Sequence, residues 1–460
     1  VLRDFRPSKR GAAAAAVLGT CALLVLPGTH ASAVALTVPC TGVNTVDVTA
    51  LKSAISAANL AGNATVVLGA GCTFTLTAVD NTGAHGPNGL PAITSTMTIE
   101  GNGDTITRDT ASGNTPPFRY FETTTGALTI SDLILTKGLS GPAGGAIYGE
   151  GALTVIGSTL SDNGTAGDGG AIYDHGLLTV TNSSFLNNDA NGGSGGAINS
   201  ASGVVVVASY SLKISGSTFS ANTATGTGGA IRADNPTVIV NSTLTANTAF
   251  GGGGVFTNST DISILDSTIA NNVATFTHAG GGIANAGLTA SVTVTNTIVA
   301  DNTDDNCGTT SLHPVTDGGH NLENGTGCAF AGSAINGEPV LGSLANNGGP
   351  TLTRAITSSS PAFSKGDPAV CAAAAPDGAA GVDQRGIARK TSTPCDIGAF
   401  EVAAAVASAS PTPVTPTVPA TGAVPANPSW PTAGLLAAGA GLLLLGVLAM
   451  VGRRRGGSVV

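Results

Sequence analysis

The sequence predicts an all-β chain wound as a parallel β-helix. Three observations support this: a repeat near 25 residues, two-residue apolar alternation within it, and glycine and asparagine punctuation that keeps step. Residues 144–163, GGAIYGEGALTVIGSTLSDN, are followed almost at once by 169–188, GGAIYDHGLLTVTNSSFLNN. An apolar residue after a Ser-Thr-like pair recurs at Leu160, Phe185, Phe219, Leu244 and Ile269, three positions ahead of Asn163, Asn188, Asn222, Asn247 and Asn272. The intervals are 25, 34, 25 and 25 residues. A sixth copy is placed at Ile298, with Asp301 in the Asn position and Asn302 beside it. This period is too long for a hairpin strand and suits one coil of a solenoid whose copies bury one another.

Each element of the coil has a local reason. Alternation in Leu153 and Val155, Leu178 and Val180, and Val292 and Val294 marks strands with one buried face. The double glycine, read at Gly145, Gly170, Gly196, Gly229, Gly254 and Gly282, serves tight turns. The Asn column tolerates turn dihedrals, and its stacked amides can hydrogen-bond from coil to coil. Extra residues around 202–211 and near His278 read as loops. At the N-terminal end, Thr49 is placed to cap a short helix bearing Leu51, Ile55 and Leu60 and closing near Gly62, a lid over the first strand edge.

Composition agrees. Of 460 residues only 10% are charged and 4% aromatic, while 66 are Gly, a mixture suited to many short strands and turns. Residues 1–33 read as a secretory signal: Arg3, Arg6, Lys9 and Arg10 precede an apolar run, and Ala31-Ser32-Ala33 offers a cleavage site. At the other end, residues 433–451 form an uncharged stretch followed by Arg453, Arg454 and Arg455, expected as one transmembrane helix with a cytoplasmic basic tail at 452–460. Residues 402–432, rich in Ala, Pro and Thr, read as a stalk. Between residues 34 and 432 there are eleven Lys and Arg against 26 acids, a net charge of −15 that disfavours nucleic acid as a partner. The expectation is a chain whose bulk lies outside the cell. Six cysteines remain after the signal, and their grouping in sequence points to disulfides 40–72, 307–328 and 371–395 among the 15 pairings six cysteines allow: Cys40, Cys72, Cys307, Cys328, Cys371 and Cys395. No CxxC or Cys/His cluster suggests zinc, and no cofactor is implied.

The residues also carry resemblances. GGAI followed by FxxN (Phe185 to Asn188, Phe219 to Asn222) resembles the repeats of chlamydial polymorphic outer-membrane proteins, within a wider class of right-handed β-helix surface proteins. LGSLANNGGPTLTRAITSSSPAF (341–363) with DQRGIARKTSTPCDIGAFE (383–401) resembles the choice-of-anchor Q module, which ends such proteins before a surface anchor. LKSAISAANLAGNATVVLGAGCTFTL (51–76) is similar to a CSLREA-type segment, with Thr49 where that motif has Cys. VPATG (418–422) resembles the sorting pentapeptide of Gram-positive surface proteins, which implies cleavage by a sortase between Thr421 and Gly422 and transfer of Thr421 to a cell-wall amine. The other reading of this tail is a plain membrane anchor. The organisation expected is a signal at 1–33, a cap and first coils at 34–130, repeats at 131–330, a Q-like module at 331–401, then the stalk, span and tail.

Chemistry on the coils is sparse. A glycoside hydrolase needs two facing carboxylates; a lyase needs acids for calcium and a base such as Arg or Lys. Asp304-Asp305 is an adjacent acidic pair in an expected turn, and Asp162, Asp168, Asp174 and Asp189 also lie mostly in turns. Between 130 and 300 the basic side chains are Lys137, Lys213 and Arg232. GGSGG at 192–196 fits GxSxG only formally, since no helix pattern follows. No catalytic residue, metal ligand or cofactor site is assigned.

Two columns are candidate surfaces. The position after GGAI, GGVF or GGIA is Tyr148, Tyr173, Asn199, Arg232, Thr257 and Asn285, which strand alternation sends outward if the preceding residue points in. It is the candidate ligand column for a glycan or a surface protein. Thr159, Ser184, Thr218, Thr243, Thr268 and Thr297 form a second, hydroxyl-bearing column, of a kind that orders water but also simply favours strands. The function expected is display or adhesion; the alternative is a polysaccharide lyase or glycoside hydrolase on the same scaffold.

Overall fold

The computed structural model describes residues 34–202, 210–308, 314–332 and 334–403. The expected signal at 1–33, the expected stalk beyond residue 403, Thr421, Gly422, the 433–451 stretch and the basic residues after it lie outside the described residues. Among the described residues no helix is long and apolar enough to cross a membrane. The described residues belong to one compact unit.

A coil contributes four short strands, as in Ile147–Gly149, Leu153–Ile156, Thr159–Ser161 and Gly164–Thr165, which define a first to a fourth face. Equivalent strands of successive coils pair in parallel: seven on the first face, eleven each on the second and third, six on the fourth. The alternation does its expected work inside. Phe121, Ile147, Ile172, Ile198, Ile231, Val255 and Ile283 stack along the first face. Leu135, Leu160, Phe185, Phe219, Leu244, Ile269 and Val299 stack along the third. All are buried, and the Phe185 and Phe219 rings lie parallel with centroids 4.7 Å apart.

The Asn ladder forms. Asn163 Nδ2 donates to Asn188 Oδ1 at 3.0 Å, and the chain continues through Asn222, Asn247, Asn272 and Asn302 at 2.8–3.0 Å. Each amide also bonds backbone of the neighbouring coil, so a buried corner that turns away from both strands is left satisfied. A parallel hydroxyl ladder runs through Ser158, Ser183, Ser217, Ser242, Ser267 and Thr297, each oxygen accepting the backbone N–H of the preceding member. Sequence reading passed over this ladder because Ser and Thr are equally ordinary on a strand surface.

The phase of the repeat differs from expectation at two places, each by one residue. In GGGGVF, Val255 pairs with Ile231, so Gly253 and then Gly281 continue the second glycine, not Gly254 and Gly282. In the last copy Val299 and Asn302 hold the apolar and ladder positions expected of Ile298 and Asp301. A run of glycines, or two adjacent apolar residues, leaves the register open in sequence, and a one-residue slip exchanges the faces.

The cap helix, α1, spans Asn44–Ala61, starting six residues earlier than a cap at Thr49 implied; Val43 precedes it without a side-chain cap. Leu51, Ile55 and Ala58 are buried in the same core as Val38 and Ala64, whereas Leu60 is exposed. Gly62 closes the helix with φ 78°, a left-handed conformation that costs little without a Cβ. The three disulfides are Cys40–Cys72, Cys307–Cys328 and Cys371–Cys395.

Residues 350–401 do not extend the solenoid. They fold back along its side, over the hydroxyl column. Gln384 is the clasp: Thr243 Oγ1 donates to its Oε1 at 2.6 Å, and its Nε2 donates to Thr218 and Thr351 hydroxyls at 2.9 Å each. Arg389, buried, donates to Asn241 Oδ1 and to the carbonyls of Gly398 and Asp396. Ala399 N donates to Thr268 Oγ1. Thr218, Thr243 and Thr268 are therefore covered, and Thr297 belongs to the other ladder, so no continuous hydroxyl surface faces water. Gln384→Leu is expected to leave the Thr243 hydroxyl without its acceptor in a dry interface, while Thr218 and Thr351 still donate to Leu352 O and Gly216 O, and to cost roughly 1–3 kcal/mol. Thermal unfolding followed by circular dichroism checks this; an unchanged midpoint would remove the clasp.

Candidate functional site

The outward column of the first face is the place to build from. Its register runs Glu122, Tyr148, Tyr173, Asn199, Arg232, Phe256 and Ala284. Thr257 and Asn285 do not belong to it. They pair with each other one position on, and both are buried. The reason is the glycine slip: with Val255 pointing in, Phe256 takes the outward place.

The column is not uniformly open. Tyr148 is only 6% exposed and Asn199 3%, whereas Tyr173 and Arg232 are half-buried. Tyr148 is covered by a hairpin of Asn81–Gly83 and Gly86–Asn88 that projects from the second coil. His85 at its tip lies flat on the Tyr148 ring, centroids 4.0 Å apart and 13° from parallel. His85 Nδ1 donates to Glu122 Oε1 at 2.9 Å, and its Nε2 lies 3.3 Å from Glu150 Oε1. Arg119 Nη2 donates to the His85 carbonyl at 2.6 Å, and Asn88 Nδ2 to Glu122 Oε2 at 2.6 Å. Burial alone would raise the Glu122 carboxyl, but hydrogen bonds from Asn88 and His85 and the charge of Arg119 outweigh it and lower its pKa. Glu122 is thus an ionised, fully engaged anchor for the hairpin.

The rings continue along the strip. Tyr148 and Tyr173 lie 5.2 Å apart, tilted by 31°, and Tyr173 and His175 lie 4.9 Å apart. His175 Nε2 shares a 2.9 Å hydrogen bond with the Tyr173 hydroxyl. Burial raises both phenols; for Tyr148, pushed up to about 12, the neighbouring Tyr173 and then Glu150 add to burial against the pull of Arg119. For Tyr173 the carboxylates of Asp168 and Asp234 add to it, against an opposing pull from Arg232. Arg232 Nε is itself paired with Asp234 Oδ2 at 2.9 Å, and its guanidinium lies 5.6 Å from the Phe256 ring. Asp168 Oδ1 accepts the Ser194 N–H at 2.7 Å, which fixes its carboxylate beside the strip.

The site is therefore a graded platform. Tyr148 is its floor, beneath His85; Tyr173 and His175 are its accessible rings; Glu150, Asp168 and the Arg232–Asp234 pair form its rim. His85 and Arg119 escaped sequence reading because they lie outside the repeat, and Glu122, in register with Tyr148, because its coil lacks the double-glycine signature. His175 and Glu150 were legible: each sits two positions past a column tyrosine, and strand alternation returns that position to the same side.

The other candidates do not converge. Lys137 lies at a corner with φ 66°, Lys213 in the second-face strand Leu212–Ser215, and Arg232 on the first face. Asp304 and Asp305 occupy a left-handed turn, where Asp305 meets His278 at 3.2 Å. Asp189 accepts from Thr223 at the fourth face. Among the described residues, three ligand-type groups approach one another at Cys40, Asp47 and Cys72. Both thiols there are spent in a disulfide, and Asp47 accepts from Thr41, so the set does not suit a metal.

Residues 146–335 match the family model of the right-handed β-helix region. The handedness of the solenoid follows from it. No curated protein and no solved structure matches the chain. The match covers the coils from the Tyr148 strand to the last third-face strand and leaves the hairpin, α1 and the folded-back residues 350–401 outside it.

Proposed function

We propose that this chain is an exported β-helix displayed at the cell surface, where it binds glycan along the first face. The observation that carries the proposal is a cluster of rings on the first face: Tyr148 and Tyr173 5.2 Å apart on one parallel sheet, with His85 of the hairpin 4.0 Å from Tyr148 and His175 4.9 Å from Tyr173. Aromatic faces with polar tips suit sugar rings, which present apolar C–H faces ringed by hydroxyls. The rod-like solenoid, the leader-like residues 1–33 and the apolar stretch at 433–451 support display, with attachment through Thr421 or through the span itself. The Q-like resemblance of 341–363 and 383–401 accords with this reading, and Gln384 and Arg389 account for part of that segment as a clasp rather than a site.

A glycan-array screen of the exported chain tests the proposal. Tyr173→Ala is expected to weaken binding at least ten-fold, about 1.4 kcal/mol or more, with circular dichroism unchanged. Binding indifferent to Tyr173 and His175 would overturn it.

The hydrogen bond between His175 and Tyr173 favours a second reading, a polysaccharide lyase in which His175 and the phenol move a proton. Prolonged incubation with uronate-containing polysaccharides, with and without calcium, separates the two. Appearance of unsaturated chain ends establishes the lyase; intact chains leave binding alone.

A further inference from the structure

We infer that the platform selects glycans carrying a free primary ammonium, amino sugars without their acyl group, over neutral and acidic ones. The inference rests on the glycan reading above and adds the ligand's charge.

The rim supports it group by group. Arg232, the cation of the accessible strip, is neutralised by Asp234 at 2.9 Å and held over Phe256. Arg119 is fully buried beneath the hairpin, committed to the carbonyls of His85 and Ala143 and to Ser140 Oγ. Neither is presented to a ligand as an open positive charge. The carboxylates are arranged differently. Glu150 has a side chain 40% exposed, and its one ion-pair partner is His85. Asp168 accepts a single backbone N–H through Oδ1, and Oδ2 carries no bond that would neutralise it. Two half-exposed rings, Tyr173 and His175, follow Asp168 on the same coil, and Glu150 stands on the adjacent coil, just past the Gly149–Asp174 pair.

An acidic sugar brought to this strip would meet like charge from Glu150 and Asp168 with no free guanidinium in return. Its carboxylate would lose hydration without a partner, which excludes uronates by the same rule that makes an unpaired buried charge costly. A primary ammonium meets the opposite situation. It gains the carboxylates and the negative faces of the aromatic rings together, and a cation over a tyrosine is worth roughly 0.5–2 kcal/mol according to its desolvation. The net charge of −15 over residues 34–432 draws such a ligand from a distance as well. His85 limits the arrangement usefully: by covering Tyr148 it confines the contact to Tyr173 and His175, a footprint on the scale of one or two sugar rings.

The test uses the exported chain, immobilised, with three probes of equal length: oligomers of glucosamine, of N-acetylglucosamine and of galacturonate. The glucosamine oligomer is expected to bind at least ten-fold more tightly than the N-acetylated one, and galacturonate not to bind. Asp168→Asn and Glu150→Gln keep the acceptor atoms that hold Ser194 and His85, so the fold is preserved. Each is expected to weaken glucosamine binding about five-fold, an exposed-charge effect, and so to lower the preference for glucosamine over N-acetylglucosamine by the same factor. Raising salt should weaken binding in the wild type and much less in the double variant. Equal binding of the acetylated and free-amine oligomers overturns the charge selectivity and leaves the glycan reading standing. Tighter binding of galacturonate overturns it too. Failure of all three probes together with a blank array overturns the glycan reading itself.

Discussion

Asn222→Leu is expected to destabilise the solenoid by about 4 kcal/mol or more and to lower its denaturation midpoint accordingly. The side chain is buried at the middle of the ladder. Its Nδ2 donates to Phe185 O at 3.0 Å and to Asn247 Oδ1 at 2.8 Å. Its Oδ1 accepts from Asn188 N at 3.0 Å and from Asn188 Nδ2 at 2.9 Å. Leucine fills similar space and removes all four bonds. Phe185 O and both Asn188 donors then remain in a dry corner, at about 1–3 kcal/mol for each unsatisfied group. Asn191, exposed on a nearby loop, provides the control: Asn191→Ala should stay within about 0.5 kcal/mol of the wild type. Because each coil contacts only its neighbours, a defect at mid-stack also weakens the coupling of the two halves, so a lower denaturant slope should accompany the lower midpoint. Equal midpoints for the two variants would mean that the ladder is ornament.

Asp174→Asn is expected to stabilise the protein at and above neutral pH and to leave it unchanged below pH 4. Asp174 follows Tyr173 and points inward, in register with Gly149 and Ser200. It is fully buried, and neither carboxyl oxygen has a well-formed hydrogen bond; the nearby Gly176 N–H offsets burial only in part. Burial raises its pKa from 3.8 to about 7. The folded state therefore keeps a proton that the unfolded chain has already lost across this interval. Stability is full below about pH 4 and falls as pH rises through 7, by about 4 kcal/mol for roughly three units at 1.4 kcal/mol each. Asparagine is the uncharged isostere and abolishes the slope. Melting temperature against pH from 4 to 8.5 reads it directly: the two proteins should coincide at the acid end and diverge toward the alkaline one. Parallel curves would show that Asp174 finds a partner or never loses its proton. The site is tight, since a Cβ at Gly149 would approach Asp174 Oδ1 to 2.6 Å.

Asp174 also illustrates what repeat reading misses. It occupies a column that otherwise holds Thr123, Gly149, Ser200, Ala233, Thr257 and Asn285, so a carboxylic acid there is an exception visible only once inward and outward are assigned. Sequence reading grouped it with Asp162, Asp168 and Asp189 as turn acids. Alternation places Asp168 at the rim of the platform and Asp174 beneath it, although they are six residues apart. The outward column was legible as far as Arg232 and lost at GGGGVF, where four glycines offer no side chain by which to count phase.

Sequence alone determined the coil, its inward columns as far as Ile231 on the first face and Ile269 on the third, the ladder from Asn163 to Asn272, and the three disulfides. Each of these repeats at an interval near 25 residues, lengthened once to 34, or joins cysteines close in the chain, so local periodicity carries the information. Tertiary structure decided which residues of the outward column meet solvent. The His85 hairpin that buries Tyr148, the Glu122 and Arg119 that hold it, and the Gln384 and Arg389 clasp over Thr218 and Thr243 all act across unequal sequence separations. Hydrogen bonds of that kind leave no period to read, and shape complementarity between distant segments settles them.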